Sequence, residues 1–323
     1  MPDDGDQDFE GSVRQTRLNF SAEKEVNGHK LKAFVEGDLW DNNTEADDST
    51  YAPRLRHAYI ALDNLTIGQT WAGQFFANAP FDVEMMNFWG LGTGTIGGNG
   101  AVVRPDLVVH YTLAGFRLTA QDPVWKDAAY PDLVAAYTYR AGGHAFNLAL
   151  TGRDVGVGAD GGVVGSGKAD NDSEFGVAVS AAAKLQFTNT ALALSAYTGE
   201  GVGVYAGWGY QGARGSNQQA DVNEVTGKLI KTTGFSAGVT QKFMDSLRGT
   251  VRYGQVKADE VAASMDEDTL KLVTVNLIYT YLPGLDFGIE WRDQNARTRP
   301  PTAAGSSVRP EGQQVELMAM YKF

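Results

Sequence analysis

The sequence predicts an all-β fold, one antiparallel sheet wound into a transmembrane β-barrel that takes in residues 1–323 as a single domain. Three observations predict it. Runs of about ten residues alternate strictly between apolar and polar side chains, short turns join the runs in pairs, and long polar connections separate the pairs. Helix periodicity is scarce, and no stretch of roughly 18 apolar residues is present to cross a bilayer as a helix.

From the N-terminus, residues 12–25 and 29–40 meet at Asn27-Gly28, and residues 54–62 and 65–71 meet at Asp63-Asn64. Ala114-Gly115 joins 102–113 to 116–122, Gly142-Gly143 joins 131–141 to 143–153, and Thr188-Asn189 joins 174–187 to 190–198. Met244-Asp245-Ser246 links 233–243 to 247–257. Leu282-Pro283-Gly284 links 268–281 to a strand carrying Leu285, Phe287, Ile289 and Trp291 on one face. Val315, Leu317, Ala319, Tyr321 and Phe323 form one face of the last strand. Asn-Gly and Gly-Gly suit two-residue hairpin turns, because both central residues need a positive φ. Between the hairpins lie 41–53, 72–101, 123–130, 154–172, 199–232, 258–267 and 295–311. Short turns at one end and long connections at the other is the organisation of membrane barrels, with the short turns periplasmic. Trp40, Tyr111, Tyr137, Tyr139, Tyr197, Tyr253, Trp291 and Phe323 are expected on the outer face, as the aromatic girdles at headgroup depth.

Fifteen runs are visible, an odd number, so the first and the last descend in the same direction and cannot pair antiparallel. The expectation is an ascending strand upstream of Met1, missing through truncation or a misplaced start, and a parent barrel of sixteen. Residues 221–232, with Val222, Val225 and Leu229, hold a further strand candidate that does not repair the parity by itself.

The composition narrows the function. A net charge of −12 excludes general nucleic-acid binding, which needs clustered Lys and Arg. The absence of cysteine excludes disulfides and thiolate chemistry. The mean hydropathy is that of a soluble protein, which a barrel tolerates because only alternate strand residues face lipid. The acidic first residues carry none of the marks of a signal peptide.

Alternation assigns the faces. With the apolar set toward lipid, Arg17, Arg54, Arg56, Arg104, Arg117, Arg140, Arg153, Arg248, Arg252 and Arg292 point inward, joined by Lys32, Lys184 and Lys242. The inward acids are fewer: Glu36, Asp38, Asp106, Asp286, Glu290 and Glu316. Guanidinium groups along a bore attract anions and grip carboxylates through two parallel hydrogen bonds. Residues 72–101 are too apolar for a solvated connection and are expected to fold into the barrel as a constriction. Phe75, Phe76, Phe81, Phe88 and Trp89 would then pack on the wall, with Asp82 and Glu84 facing its arginines.

The run Ser12-Val-Arg-Gln-Thr-Arg-Leu18, then Arg54-Leu-Arg-His-Ala-Tyr59, Ile67-Gly-Gln-Thr-Trp71 and Phe88-Trp-Gly90 resembles the DcaP-like outer-membrane porins. Met320-Tyr-Lys-Phe323 is similar to the terminal strand signal read by the barrel-assembly machinery. The resemblance covers most of the chain and is most specific in its first third. It implies a homotrimer of sixteen-stranded barrels in the bacterial outer membrane, with passive uptake of small dicarboxylates. It also implies that Arg17, Arg54, Arg56 and Gln69 line the channel. Members of the family begin with a strand before the Ser-Val-Arg-Gln run, and this sequence lacks it. The expected surroundings are the lipid bilayer and lipopolysaccharide.

Other signals are weak. Gly92-Thr-Gly-Thr-Ile-Gly97 matches a dinucleotide pattern without its strand–helix context. In the phosphate-loop-like run Gly162–Lys168, Ala169 stands where magnesium binding needs Ser or Thr. Asp170-Asn171-Asp172 lacks the glycine and final glutamate of a calcium loop. His29, His57, His110 and His144 are scattered, which disfavours a metal centre, and no nucleophile motif accompanies His110. A diffusion channel without enzymatic activity, cofactor or metal is therefore expected. The alternatives are a general porin for neutral or aromatic solutes, an outer-membrane hydrolase and an adhesive β-protein.

Overall fold

A computed structural model describes residues 11, 13, 15–39, 53–74, 83–86, 104–123, 128–158, 167–206, 221–223, 226–259, 269–294 and 312–323. Among them the strands are β1 (Arg17–Val26), β2 (His29–Asp38), β3 (Arg54–Leu62), β4 (Leu65–Gln69), β5 (Val108–Leu113), β6 (Phe116–Gln121), β7 (Asp132–Ala141) and β8 (His144–Gly156). Then follow β9 (Ser173–Gln186), β10 (Thr190–Glu200), β11 (Lys231–Met244), β12 (Leu247–Ala258), β13 (Thr269–Leu282), β14 (Leu285–Gln294) and β15 (Gly312–Tyr321). They form one fifteen-stranded sheet in which each strand pairs with its sequence neighbours, β1 through β15. Every pairing is antiparallel, as in β8–β9 and β13–β14. β1 and β15 are the ends of this order, and because fifteen is odd they run in the same direction.

The turns fall where the dipeptides placed them. Asn27 and Gly28 have φ of 53° and 83°, and Ala114 and Gly115 have 50° and 88°, the left-handed pair that a right-twisted hairpin needs. The short turns gather at one end of the sheet (the turn end) and the long connections at the other (the loop end). Among the described residues of 221–230, none adds a further strand to the sheet, and Lys231 and Thr232 open β11. Val222 and Leu229 make an isolated antiparallel bridge instead.

The burial is inverted relative to a water-soluble sheet. Leu118, Leu148, Leu150, Leu194, Leu277 and Leu317 are exposed on the outer face, while Thr151, Arg153, Thr250, Arg252, Thr274 and Arg292 are buried on the inner one. Such a surface is unstable in water and suits hydrocarbon, where the sheet's own ladder satisfies the backbone. Tyr111, Tyr137, Tyr139 and Phe323 are exposed outward as expected, and Tyr253 and Trp291 share the outward parity of Val251 and Ile289. Tyr197 is a correction. It pairs with Gly234 and Ser180 on the inner face, is only 3% exposed, and donates its hydroxyl to Thr232 Oγ1 at 3.0 Å. Leu192 and Leu194 hold the outward phase of β10, so an odd-numbered residue of this strand points in.

One glycine is demanded by the backbone. Gly68 has φ +138°, and a Cβ there would stand 2.2 Å from the Ala58 carbonyl oxygen and 2.6 Å from Tyr59 Cα. Gly68→Ala is expected to destabilise the barrel by more than about 1 kcal/mol. The readout is a lower temperature for loss of the compact gel band in detergent, and an unchanged transition would contradict the crowding.

Candidate lumen and its charged clusters

Among the described residues, three charged clusters stand on the inner wall. The first lies at the loop end of β1–β3. A bulge puts two residues of β3 against one of β2: Glu36 faces His57 while Gly37 faces Leu55. Arg56 is the extra residue, so Arg54, Arg56 and His57 all turn inward while Leu55 stays exposed outside. Arg54 grips Asp38 through Nε to Oδ1 at 2.9 Å and Nη2 to Oδ2 at 2.6 Å. Arg56 donates to Glu36 at 2.8 Å and to Asp38 at 2.9 Å. Arg17 and Arg104 share the electrostatic surroundings of these two arginines and of Asp38. The guanidinium of Arg104 lies over the Trp71 ring, 5.5 Å from its centroid, and the His57 ring meets the same indole edge-on at 5.1 Å. Burial first, then the like charges of Arg56 and Arg54, pull Arg104 below the usual arginine range. An anion beside it would relieve that opposition. Among the described residues, four arginines face two carboxylates here, and Arg104 makes no ion pair.

The second cluster is fully buried. Arg153 on β8 donates Nε to Asp132 Oδ2 at 2.9 Å and Nη1 to Asp221 Oδ2 at 2.8 Å, and it also bonds the Gly201 carbonyl. The Tyr205 ring centroid lies 4.9 Å from its guanidinium carbon, and the Tyr205 hydroxyl bonds Asp132. Gln121 donates to that hydroxyl at 2.8 Å and to Gln74 Oε1 at 3.0 Å, while accepting from Gly73 N at 2.8 Å. Val204 N donates to Asp221 Oδ1 at 3.1 Å. Val202, Val204, Tyr205 and Ala206 have no exposure, and Val222 and Leu229 pack on Val155 and Val157. The described residues after β10, 201–206 with Asp221, Val222 and Leu229, therefore pack inward onto the wall at the loop end.

The third cluster joins the segment Val83–Met86 to β11–β14. Glu84 accepts from Arg248 Nε and Nη2, both at 2.7 Å, and Arg248 reaches Asp286 at 3.0 Å. Glu84 N donates to Thr240 Oγ1 at 3.3 Å, and Asn276 donates to the Glu84 carbonyl at 3.0 Å. Met86 N donates to Glu290 Oε2 at 2.8 Å; Glu290 also holds Arg292, which bridges to Glu316 at 3.1 Å. Val83 and Met86 close over Gly238 and Gly288, where an added Cβ would come within 2.9 Å and 2.5 Å of them. The start of the same connection is held elsewhere: Gly73 lies against Val134, and Arg117 donates to its carbonyl at 2.9 Å.

The expected inward set divides as follows. Arg17, Arg54, Arg56 and Arg104 gather in the first cluster, Arg117 meets the connection after β4, and Arg248 and Arg292 belong to the third cluster. Arg252 is buried inward on β12, and Arg140 is exposed at the turn end of β7 with the parity of Val134. Arg104 is not on a strand: β5 starts at Val108, and Pro105 has no N–H to give a ladder. Gln69 is a correction. It pairs with Ala58, shares the parity of Leu65 and Ile67 on the apolar face, and donates to the Leu55 carbonyl at 3.3 Å. Asp106 is exposed rather than buried with the inner acids. Asp82, Trp40, Phe75, Phe76, Phe81, Phe88 and Trp89 lie outside the described residues. Among the described residues, no group of three or more His, Asp or Glu is arranged to hold a metal.

No protein-family model and no curated protein matches the chain. Solved structures do. The outer-membrane channel DcaP of Acinetobacter baumannii superposes with a TM-score of 0.71 at 21% identity, over 97% of this chain and 86% of the channel. The fold is that of outer-membrane channels. OmpF of Salmonella typhi, in complex with daunomycin, matches with a TM-score of 0.59 at 12% identity, over 94% and 89% of the two chains. The trimer form of OmpT from Vibrio cholerae matches with 0.57 at 14% identity, over 94% and 90%.

Within this channel fold, the inward residues 201–206, 221–223 and 226–230 had no counterpart in the expected constriction. Their signals were the apolar Val202, Val204, Tyr205, Val222 and Ile230 and the acid Asp221 within a long connection. They pointed to burial without saying against which wall.

Proposed function

We propose that the chain is an outer-membrane porin for passive diffusion of small anions, with dicarboxylates the leading solute class. It lies in the bacterial outer membrane, its apolar face in lipid and its loop end among lipopolysaccharide. The observation that carries this is the first cluster, where four inward arginines stand against two acids and Arg104 keeps no carboxylate partner among the described residues. Fixed positive charge in a narrow, low-dielectric bore concentrates anions and selects them. Residues 72–101 act as the constriction, a role supported by their attachment to β6–β7 at Gly73 and to β11–β14 at Val83–Met86. A homotrimer is the proposed assembly, in line with the trimer form of the Vibrio cholerae outer-membrane protein OmpT.

A second solute class is favoured by one feature. Trp71, His57, Phe34 and Tyr59 form an aromatic row beside Arg104, a surface for planar or aromatic solutes. Reversal potentials in a salt gradient test the main proposal. Arg54→Glu with Arg56→Glu is expected to lower the anion-to-cation permeability ratio by about tenfold or more. Arg104→Ala, which breaks no ion pair among the described residues, should shift it the same way by less. A cation-preferring parent, or a double variant with unchanged selectivity, would remove the first cluster from the selective path.

A further inference from the structure

A cavity of about 300 Å³ opens on the inner wall at the turn end, bounded by Glu84, Lys184, Thr188, Thr240, Lys242 and Arg248. Lys242 and Arg248 are register partners on β11 and β12, and Lys184 lies on the inner face of β9. Of the three cations, Arg248 supplies a planar fork and Lys184 a point charge, while Lys242 is paired with Asp245 of the same lining at 2.7 Å. The fork is occupied from within. Both oxygens of Glu84 accept from it at 2.7 Å, the geometry that a free carboxylate adopts. The pair is reachable from water, with 39% of the Glu84 side chain and 21% of that of Arg248 exposed.

Two further features bear on exchange. Arg248 keeps a wall partner, Asp286 at 3.0 Å, when Glu84 leaves. The backbone of the Glu84 segment is held independently of its carboxylate, by Thr240, Asn276 and Glu290. The side chain can therefore swing away while the segment stays docked.

Building on the anion channel proposed above, we infer that this cavity is a second anion station near the exit, whose seat Glu84 fills until a solute carboxylate displaces it. A short dicarboxylate would place one end on the Arg248 fork and the other toward Lys184. Competition from Glu84 keeps residence brief, which conduction needs, because a solute held too tightly does not leave.

Planar-bilayer recordings with succinate added on the turn side, in chloride, test this. Glu84→Gln is expected to lengthen succinate blocking events by about threefold to fivefold, the range one part-exposed ion pair supports, beyond whatever change chloride conductance shows in the same variant. Arg248→Lys keeps the charge but loses the fork, and should shorten the events in both backgrounds. Equal gains for chloride and succinate would reduce Glu84 to a field effect, and unchanged dwell times would also overturn the station. If the parent passes no succinate at all, the failure lies with the anion channel itself.

Discussion

Replacing Arg153 by alanine is expected to release the inward segment 201–206 at a cost of about 3–5 kcal/mol. The side chain is completely buried, and its removal leaves Asp132 and Asp221 facing each other without a cation. In a site closed to water, two uncompensated carboxylates are far costlier than a missing ion pair. The loss should spread, because Tyr205 and Gln121 tie the same network to Gln74 and Gly73 on the other connection. The sheet itself should persist, since its ladder does not depend on Arg153. Limited proteolysis within the connection after β10, together with single-channel noise, would report the release. Adding Asp132→Asn and Asp221→Asn should restore much of the docking by removing the stranded charges. A protease pattern and channel trace identical to the parent would show that apolar packing of Val202, Val204 and Ile230 holds the segment without the charges.

Leu148→Arg is expected to destabilise the folded barrel by about 2–4 kcal/mol, the range for a cation on the lipid face near mid-bilayer. Leu148 is 64% exposed on β8, five positions beyond the Gly142-Gly143 turn, with exposed Phe146 and Leu150 on the same face. The sign of the effect discriminates. A leucine this exposed on a water-soluble sheet accepts arginine with a change near zero. Urea-dependent folding into lipid vesicles would measure it, and a parent-like midpoint would place this face in water and end the membrane assignment.

The alternation of β15, β14 and β13 was legible because the side-chain period of a strand is two and the phase is marked by many residues at once. Hairpin turns were legible from dipeptides such as Asn27-Gly28, whose backbone angles few other residues tolerate. The errors came where the phase slips or has few markers. A short β4 left Gln69 on the apolar face, and Tyr197 sat out of phase with Leu194. Strand β5 began later than the apolar run suggested, since Val108 is the first residue to join the ladder.

From the sequence alone followed the all-β architecture, the turn positions and most of the division into a greasy outer and a polar inner face, because these are local and periodic. The tertiary structure decided which inward charges meet. Glu84 and Arg248 stand 164 positions apart, and Arg153 and Asp221 stand 68 apart. A carboxylate in a long connection has no periodicity to aim it; only closure of the chain over the inner wall selects its arginine, by removing both from water at the same place.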